Sequence, residues 1–155
     1  MSVRVSVIIP CYNQGHFIRE ALASVAACDQ TLIEVIIVND GSTDPDTNKI
    51  MRELAEQGMH IIFQENKGLA AARNAGISAS KGEFILPLDA DNKIYPAYIE
   101  KGLAAMDADA SIGVVYGNAN YFGAKSGDWK PGVFNLQRLM IANFIDACAV
   151  IRKST

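Results

Sequence analysis

An α/β domain with a mainly parallel sheet, covered by helices on both faces, is the fold class that this sequence predicts. Three observations point to it. Continuous apolar segments rich in Val and Ile alternate in strict succession with segments of helical apolar spacing, an order that implies right-handed crossovers between parallel strands. The apolar strands are unbroken rather than alternating, as in a sheet buried on both faces. The chain has 155 residues, of which 50% are hydrophobic and 20% charged, enough for one domain with its own core and too apolar for intrinsic disorder.

Each element follows from its own residues. Residues 3–10 read as a buried strand that ends at Pro10. Residues 16–27 read as a helix with Ile18, Leu22 and Val25 on one face, and 33–39 as a second strand. Asp44 suits a helix N-cap and Pro45 the first helical position; Ile50, Met51, Leu54 and Ala55 make the apolar stripe, and Gly58 is the stop signal. Residues 59–64 form a third strand. Residues 68–80 form a helix rich in Ala and Gly, whose small side chains at Ala72, Ala75, Gly76 and Ala79, beside Leu69, let helix and sheet approach closely. Residues 84–88 form a fourth strand, and Tyr95, Ile99, Leu103 and Met106 have helical spacing. A fifth strand over 112–116 continues or pairs through 120–122; 123–132 is a turn-rich loop containing Trp129; 136–141 is a short helix; and 147–151 is a last strand.

Composition excludes several functions. Lys+Arg 14 against Asp+Glu 17 gives a net charge of -3, without the basic surplus of a nucleic-acid binder. Cysteines stand at 11, 28 and 148, an odd number without metal-ligand spacing. A disulfide framework and structural zinc are therefore not expected, and a reducing, cytoplasmic setting is. The first apolar run is too short to span a bilayer and lacks a signal-peptide layout, and no run of 18 apolar residues occurs. Approach to a membrane acceptor from its inner face, as a peripheral protein, remains compatible with this composition.

In open α/β sheets ligands bind at the carboxyl ends of strands, and nearly all the polar chemistry of the chain falls there. Pro10-Cys11-Tyr12-Asn13 follows the first strand, Asn39-Asp40-Gly41-Ser42-Thr43-Asp44 the second, Glu65-Asn66-Lys67-Gly68 the third and Asp89-Ala90-Asp91-Asn92 the fourth. Asp89 and Asp91, two apart just past a strand, can face one small volume; their mutual repulsion needs a cation or hydrogen-bond donors to offset it. A hard divalent cation answers that need and prefers carboxylate and phosphate oxygen. A solvated acidic turn is the blander alternative, but the three other polar strand ends beside this pair favour the cation. Asp40 reads either as a turn residue before Gly41 or as an acceptor for a base N–H or a ribose hydroxyl. Gly68 allows a ligand to approach a helix N-terminus, which favours anions, and Arg73 lies one turn further in, either solvated or gripping a phosphate. Lys67 carries the same ambiguity. His16 and His60 read as structural, and Cys11 as a small residue at a strand end.

Four blocks in this order, VSVIIPCYNQ, EVIIVNDGSTD, ENKGLAAARNAGI and GEFILPLDAD, resemble the nucleotide-sugar-binding half of family 2 inverting glycosyltransferases with the GT-A fold, a Rossmann-like architecture. The resemblance covers roughly residues 3–122 and weakens beyond. It implies that Pro10, Tyr12 and Asn13 line a base pocket. It implies that Asp40 binds the base, usually uracil, with Ser42 beside it, and that Gly68 and Arg73 border base and diphosphate. In this resemblance Asp89, Ala90 and Asp91 form the metal motif, with Asp91 the more direct ligand to Mg or Mn and Asp89 reaching the ribose or the metal shell. It further implies a nucleotide-sugar donor, UDP-linked, a glycan, lipid-linked or other hydroxyl acceptor, and a place in cell-envelope polysaccharide biosynthesis.

The same resemblance implies a general-base carboxylate beyond Thr155. Residues 143–153 resemble the lead-in to it, and Asp146 precedes the strand after which the base is expected, so no catalytic residue is expected within 1–155. The chain therefore reads as one GT-A-type donor-binding domain, truncated at its C-terminus and by itself poorly active. An apolar patch near the last strand, or a homo-oligomer that hides it, should accompany truncation. The alternatives are a non-catalytic nucleotide-diphosphate-binding module and a nucleotidyltransferase, although the N-terminal CYNQG lacks the basic Gly-rich loop of the latter. A response-regulator receiver would need its acidic pair after the first strand, where Pro-Cys-Tyr-Asn stands.

Overall fold

The structure, a computed structural model, describes residues 2–155. Its elements are β1 (Val5–Cys11), α1 (Gly15–Ala26), β2 (Ile33–Asp40), α2 (Pro45–Glu56), β3 (His60–Gln64), α3 (Leu69–Ala79), β4 (Phe84–Pro87), α4 (Pro96–Ala108), β5 (Val114–Val115), β6 (Ala119–Tyr121), β7 (Gly127–Trp129), α5 (Leu136–Ile141) and β8 (Val150–Arg152). The main sheet has the order β3-β2-β1-β4-β8-β5. β1, β2, β3 and β4 run parallel, in a register that aligns Val5 with Ile33 and with Phe84, and Asp40 with Gln64.

This order sets the position of the site. From β1 the chain moves to β2 and β3 on one side, then returns to place β4 on the other. The gap between β1 and β4 is thus the point where the strand order reverses, and crevices open at the carboxyl ends of strands at such a point. The sheet is covered asymmetrically. Val5, Val7, Ile9 and Phe84 pack on one face with Ile18 of α1, Met51 of α2 and Ile99 and Leu103 of α4. Ile8, Ile36, Val38 and Ile85 pack on the other face with Ala72 of α3. The small residues of α3 have a steric cause: a Cβ on Gly76 would lie 2.4 Å from Ile8 Cγ2. Leu69, expected on this inner face, is instead exposed at the helix start.

Asp44 caps α2 by accepting from Thr47 N at 2.7 Å, and Pro45 opens the helix, as the sequence predicts. The second half of the chain differs from expectation. The fifth strand shrinks to Val114–Val115, and Ala119–Tyr121 neither continues it nor joins the main sheet but pairs with Gly127–Trp129, inside the expected loop, as a separate hairpin. The last strand inserts between β4 and β5 antiparallel to both, aligning Arg152 with Phe84 and Ile151 with Val114. α5 buries none of its residues, and Val133, Met140 and Ile141 are exposed around it. Among the described residues no helix is long and apolar enough to cross a membrane.

Candidate functional site

A cleft of about 470 Å³ opens where the strand order reverses. Pro10 and Tyr12 reach it from β1, Asp40 from β2, Gly68 from the start of α3, and Asp89 and Asp91 from the turn after β4. Six of the residues singled out in the sequence therefore share one cavity. Four do not line it. Asn13, Ser42, Arg73 and Ala90 are not in its lining; the first three bond to the loops that carry it, and Ala90 is buried.

Asp40 ends β2 with only 3% of its surface exposed. Its carboxylate accepts from Gln64 Nε2 at 2.6 Å, Lys67 N at 3.0 Å and Gly68 N at 2.9 Å. Burial opposes ionisation of this group. The backbone donors at Lys67 and Gly68, the Gln64 amide and the Lys67 charge outweigh burial and hold the carboxyl below its ordinary range. An ionised Asp40 thus ties the end of β2 to the loop that leads into α3. Gly68 caps that helix with φ 85°, a left-handed conformation that suits glycine.

Asn13 occupies the left-handed region at φ 57°, where Asn is tolerated because its short amide bonds locally. Its Oδ1 accepts from Thr43 N at 2.8 Å and Asp44 N at 2.9 Å, and its own N–H donates to Ser42 Oγ at 3.1 Å. Ser42 in turn is fixed by Asn39 Oδ1 and by Asn48 Nδ2. These residues clamp the loop after β1 to the loop after β2, so that Tyr12 and Asp40 keep a fixed spacing.

Arg73 is not a solvated helix arginine. Its Nη2 donates to Asp89 Oδ1 at 2.6 Å, with the two side chains 22% and 36% exposed, and its Nε is buried without a protein partner. Asp89 is therefore already neutralised by a neighbour. Ala90 is fully buried beneath the turn. Asp91 is exposed at the cleft and forms no ion pair with another described residue. Cys11 also lines the cleft; burial pushes its thiol up, which keeps it neutral and unreactive.

The donor set can be tested against a divalent cation. No group of three or more His, Cys, Asp and Glu side chains gathers among the described residues. A cage of three or more such side chains is therefore absent among the described residues. The set fits a hard cation that takes one or two carboxylates and completes its shell with phosphate oxygen and water, the usual mode for Mg. Asp91 has the free carboxylate for it, and Asp89 stands beside it on the arm of Arg73.

Gln14, Asn66, Leu69 and Ala72 line the cleft without having been singled out. Asn66 sits inside one of the polar strand-end blocks and Gln14 directly follows another, which was the available signal. Leu69 and Ala72 sit on a helical apolar face, and nothing in their spacing separates lining a cleft from packing in a core. Thr155, the residue past which the resemblance puts the general base, is not part of the cleft lining. It follows β8, and its N–H donates to Arg152 O at 3.0 Å, closing a turn on the strand that pairs with the start of β4.

A sequence profile described as "Glycosyl transferase family 2" matches residues 6–153. Glycosyltransferase GlyA of Streptococcus pneumoniae serotype 4 is 36% identical over 118 residues, which are 73% of this chain and 17% of that protein. Among solved structures, S. aureus TarS 1-349 in complex with UDP-GlcNAc superposes with a TM-score of 0.71 at 26% identity, over 98% of this chain and 46% of that one. The mannosyltransferase PcManGT from Pyrobaculum calidifontis, in complex with GDP-Man and Mn2+, superposes with a TM-score of 0.63 at 28% identity, over 76% of this chain and 36% of that one. The chain thus spans less than half the length of each of these proteins. Its profile match, its GT-A-like sheet and its cleft at the β1–β4 gap agree, and this chain belongs to glycosyl transferase family 2.

Proposed function

We propose that residues 1–155 bind a nucleoside-diphosphate sugar, UDP-linked, and form the donor-binding part of an enzyme that moves the sugar to an acceptor hydroxyl with inversion. One observation carries this reading: loops from β1, β2, β4 and the start of α3 converge on a single cleft that holds Tyr12, Asp40, Gly68 and Asp91 together. Tyr12 offers an exposed ring on one wall for a base, and Asp40 retains lone pairs for a base N–H beside its three internal donors. The N-terminus of α3 favours the diphosphate. Asp91 would hold Mg or Mn, which when bound neutralises the charge that develops on the departing diphosphate. Arg73 holds the Asp89 carboxylate in place through their ion pair, where it would meet the ribose. TarS carries UDP-GlcNAc and PcManGT carries GDP-Man with Mn2+, which supports the ligand class and the metal. No general base is assigned among the residues up to Thr155; in this reading the acceptor hydroxyl loses its proton to a carboxylate that they do not supply. The three free thiols favour a reducing compartment.

A calorimetric panel of UDP, GDP and ADP, each with and without Mn, tests the reading. UDP should bind best, and Mn should strengthen it. Asp91→Ala should abolish the gain from Mn, and Asp40→Asn should narrow the preference among bases. Absence of nucleotide binding in the presence of Mn would overturn the proposal. Release of pyrophosphate from a nucleoside triphosphate would favour a nucleotidyltransferase instead.

A further inference from the structure

The bonds that hold Asp40 are divided unevenly between its two oxygens. Oδ1 accepts twice, from Gln64 Nε2 at 2.6 Å and from Lys67 N at 3.0 Å, whereas Oδ2 accepts once, from Gly68 N at 2.9 Å. An ionised carboxylate has about four acceptor positions, two on each oxygen. Oδ1 is therefore full, and what Asp40 can still offer a ligand lies on Oδ2. The residue is 3% exposed and lines the cleft beside Tyr12 and Asn66, so a base that reaches it meets a carboxylate from which water is largely excluded.

Nucleobases differ in what they ask of such a group. Uracil presents one N–H, at N3, between two carbonyls, and one oxygen satisfies it. Guanine presents two donors side by side, N1–H and its 2-amino group. They match a carboxylate that receives one on each oxygen, the same fork that a guanidinium makes. With Oδ1 occupied, guanine makes at most one of these bonds here. Its second donor is left without a partner in a desolvated place, which is costly.

Two of the three internal donors are backbone N–H groups of the loop into α3. The third is the Gln64 side chain, the one that a substitution can remove. Gln64 ends β3, the outermost strand of the sheet, in register with Asp40 of β2. Strand register, rather than a loop, thus delivers this amide to the carboxylate.

We propose that Gln64 is a positioning residue that sets base preference: by occupying Oδ1 of Asp40 it restricts the base to a hydrogen bond at Oδ2 and disfavours guanine. The inference rests on the donor-site reading given above and deepens it.

Calorimetric titration of the parent and of Gln64→Leu with UDP, GDP and inosine diphosphate, all with Mn, tests this. Inosine diphosphate keeps the purine and the N1–H of GDP but lacks the 2-amino group, so the ratio of the two affinities isolates the second bond. In the parent the two purine nucleotides should bind within about twofold of each other and more weakly than UDP. Gln64→Leu keeps the side-chain bulk and opens Oδ1. It should favour GDP over inosine diphosphate by about fivefold or more and leave the ratio of UDP to inosine diphosphate within about twofold of the parent's. Gln64→Lys returns a donor to this position and should restore the parent's ratios. A purely structural role would weaken all three nucleotides together and move no ratio. The inference is overturned if GDP gains nothing over inosine diphosphate in Gln64→Leu, or if the parent already prefers GDP over inosine diphosphate by about fivefold or more. In either case UDP still binds the parent and the donor reading stands. Failure of the parent to bind UDP with Mn would remove the donor reading and this inference with it.

Discussion

Arg73 decides how the two acidic residues of the β4 turn divide their work. It neutralises Asp89 at 2.6 Å and leaves Asp91 free. Arg73→Ala would strand a half-buried carboxylate and should lower stability by about 1–2 kcal/mol, read from the urea midpoint. It should also reduce the affinity for UDP with Mn. Arg73→Lys should restore little of either, because an ammonium lacks the guanidinium fork. A wild-type midpoint and UDP affinity in Arg73→Ala would show that the pair holds nothing in place. Asp40 makes a second prediction. Its carboxyl is held below the ordinary range, so its ionised form stabilises the fold. That stability is complete above the ordinary carboxylate value and is lost as pH falls through it toward the depressed one. Between about pH 7 and about pH 3, Asp40→Asn should start from a lower urea midpoint and lose less of it than the parent. An equal acid slope in both proteins would assign the acid sensitivity elsewhere.

At the scale of the element, α3 is the helix most tightly constrained. Gly76→Ala gains helix propensity of up to about 1 kcal/mol but forces a Cβ to within 2.4 Å of Ile8 Cγ2. The overlap should win, with a net loss of about 1–3 kcal/mol in chemical denaturation. In an Ile8→Ala background the same change should cost measurably less, since the methyl it strikes is gone. Small residues at 72, 75, 76 and 79 made this close approach legible in the sequence. So did the strands of the first half, because unbroken runs of Val and Ile have few other uses. The hairpin of β6 and β7 was not legible: Ala119–Tyr121 and Gly127–Trp129 are three residues each and mostly exposed, too short to set a period. The direction of β8 was hidden for a similar reason, since nothing in Val-Ile-Arg distinguishes a parallel from an antiparallel partner. In the site, residue types were readable and bonding was not. The donors that fix Asp40 come from residues 24 to 28 positions away, and those that meet Asn13 from about 30, so only the fold reveals that Asn13 and Ser42 brace the cleft rather than line it.

Across the whole molecule, ligand chemistry and structural locking occupy opposite ends of the sheet. The cleft lies at the carboxyl ends of β1, β2 and β4, while Arg152 closes the amino end of β4, where β8 inserts. Arg152 donates to Met106 O at 3.0 Å, Ile112 O at 3.2 Å and Glu83 Oε1 at 3.0 Å, and its guanidinium lies 5.0 Å from the Phe84 ring centre. It thereby joins α4, the start of β5 and β4 through one side chain that is only 17% exposed. Arg152→Ala would leave two carbonyls without this donor and should cost about 2–4 kcal/mol, read as a lower urea midpoint. The cleft lies at the far end of the strands and loses no residue, so the folded fraction should bind UDP with Mn within about twofold of the parent. Stability and affinity would then separate, as they should if the sheet is a rigid platform with its site confined to one rim. A marked loss of affinity at an unchanged midpoint would contradict that separation, since it would require the amino end of β4 to communicate with the turn at Asp89 without any change in how firmly the domain is folded.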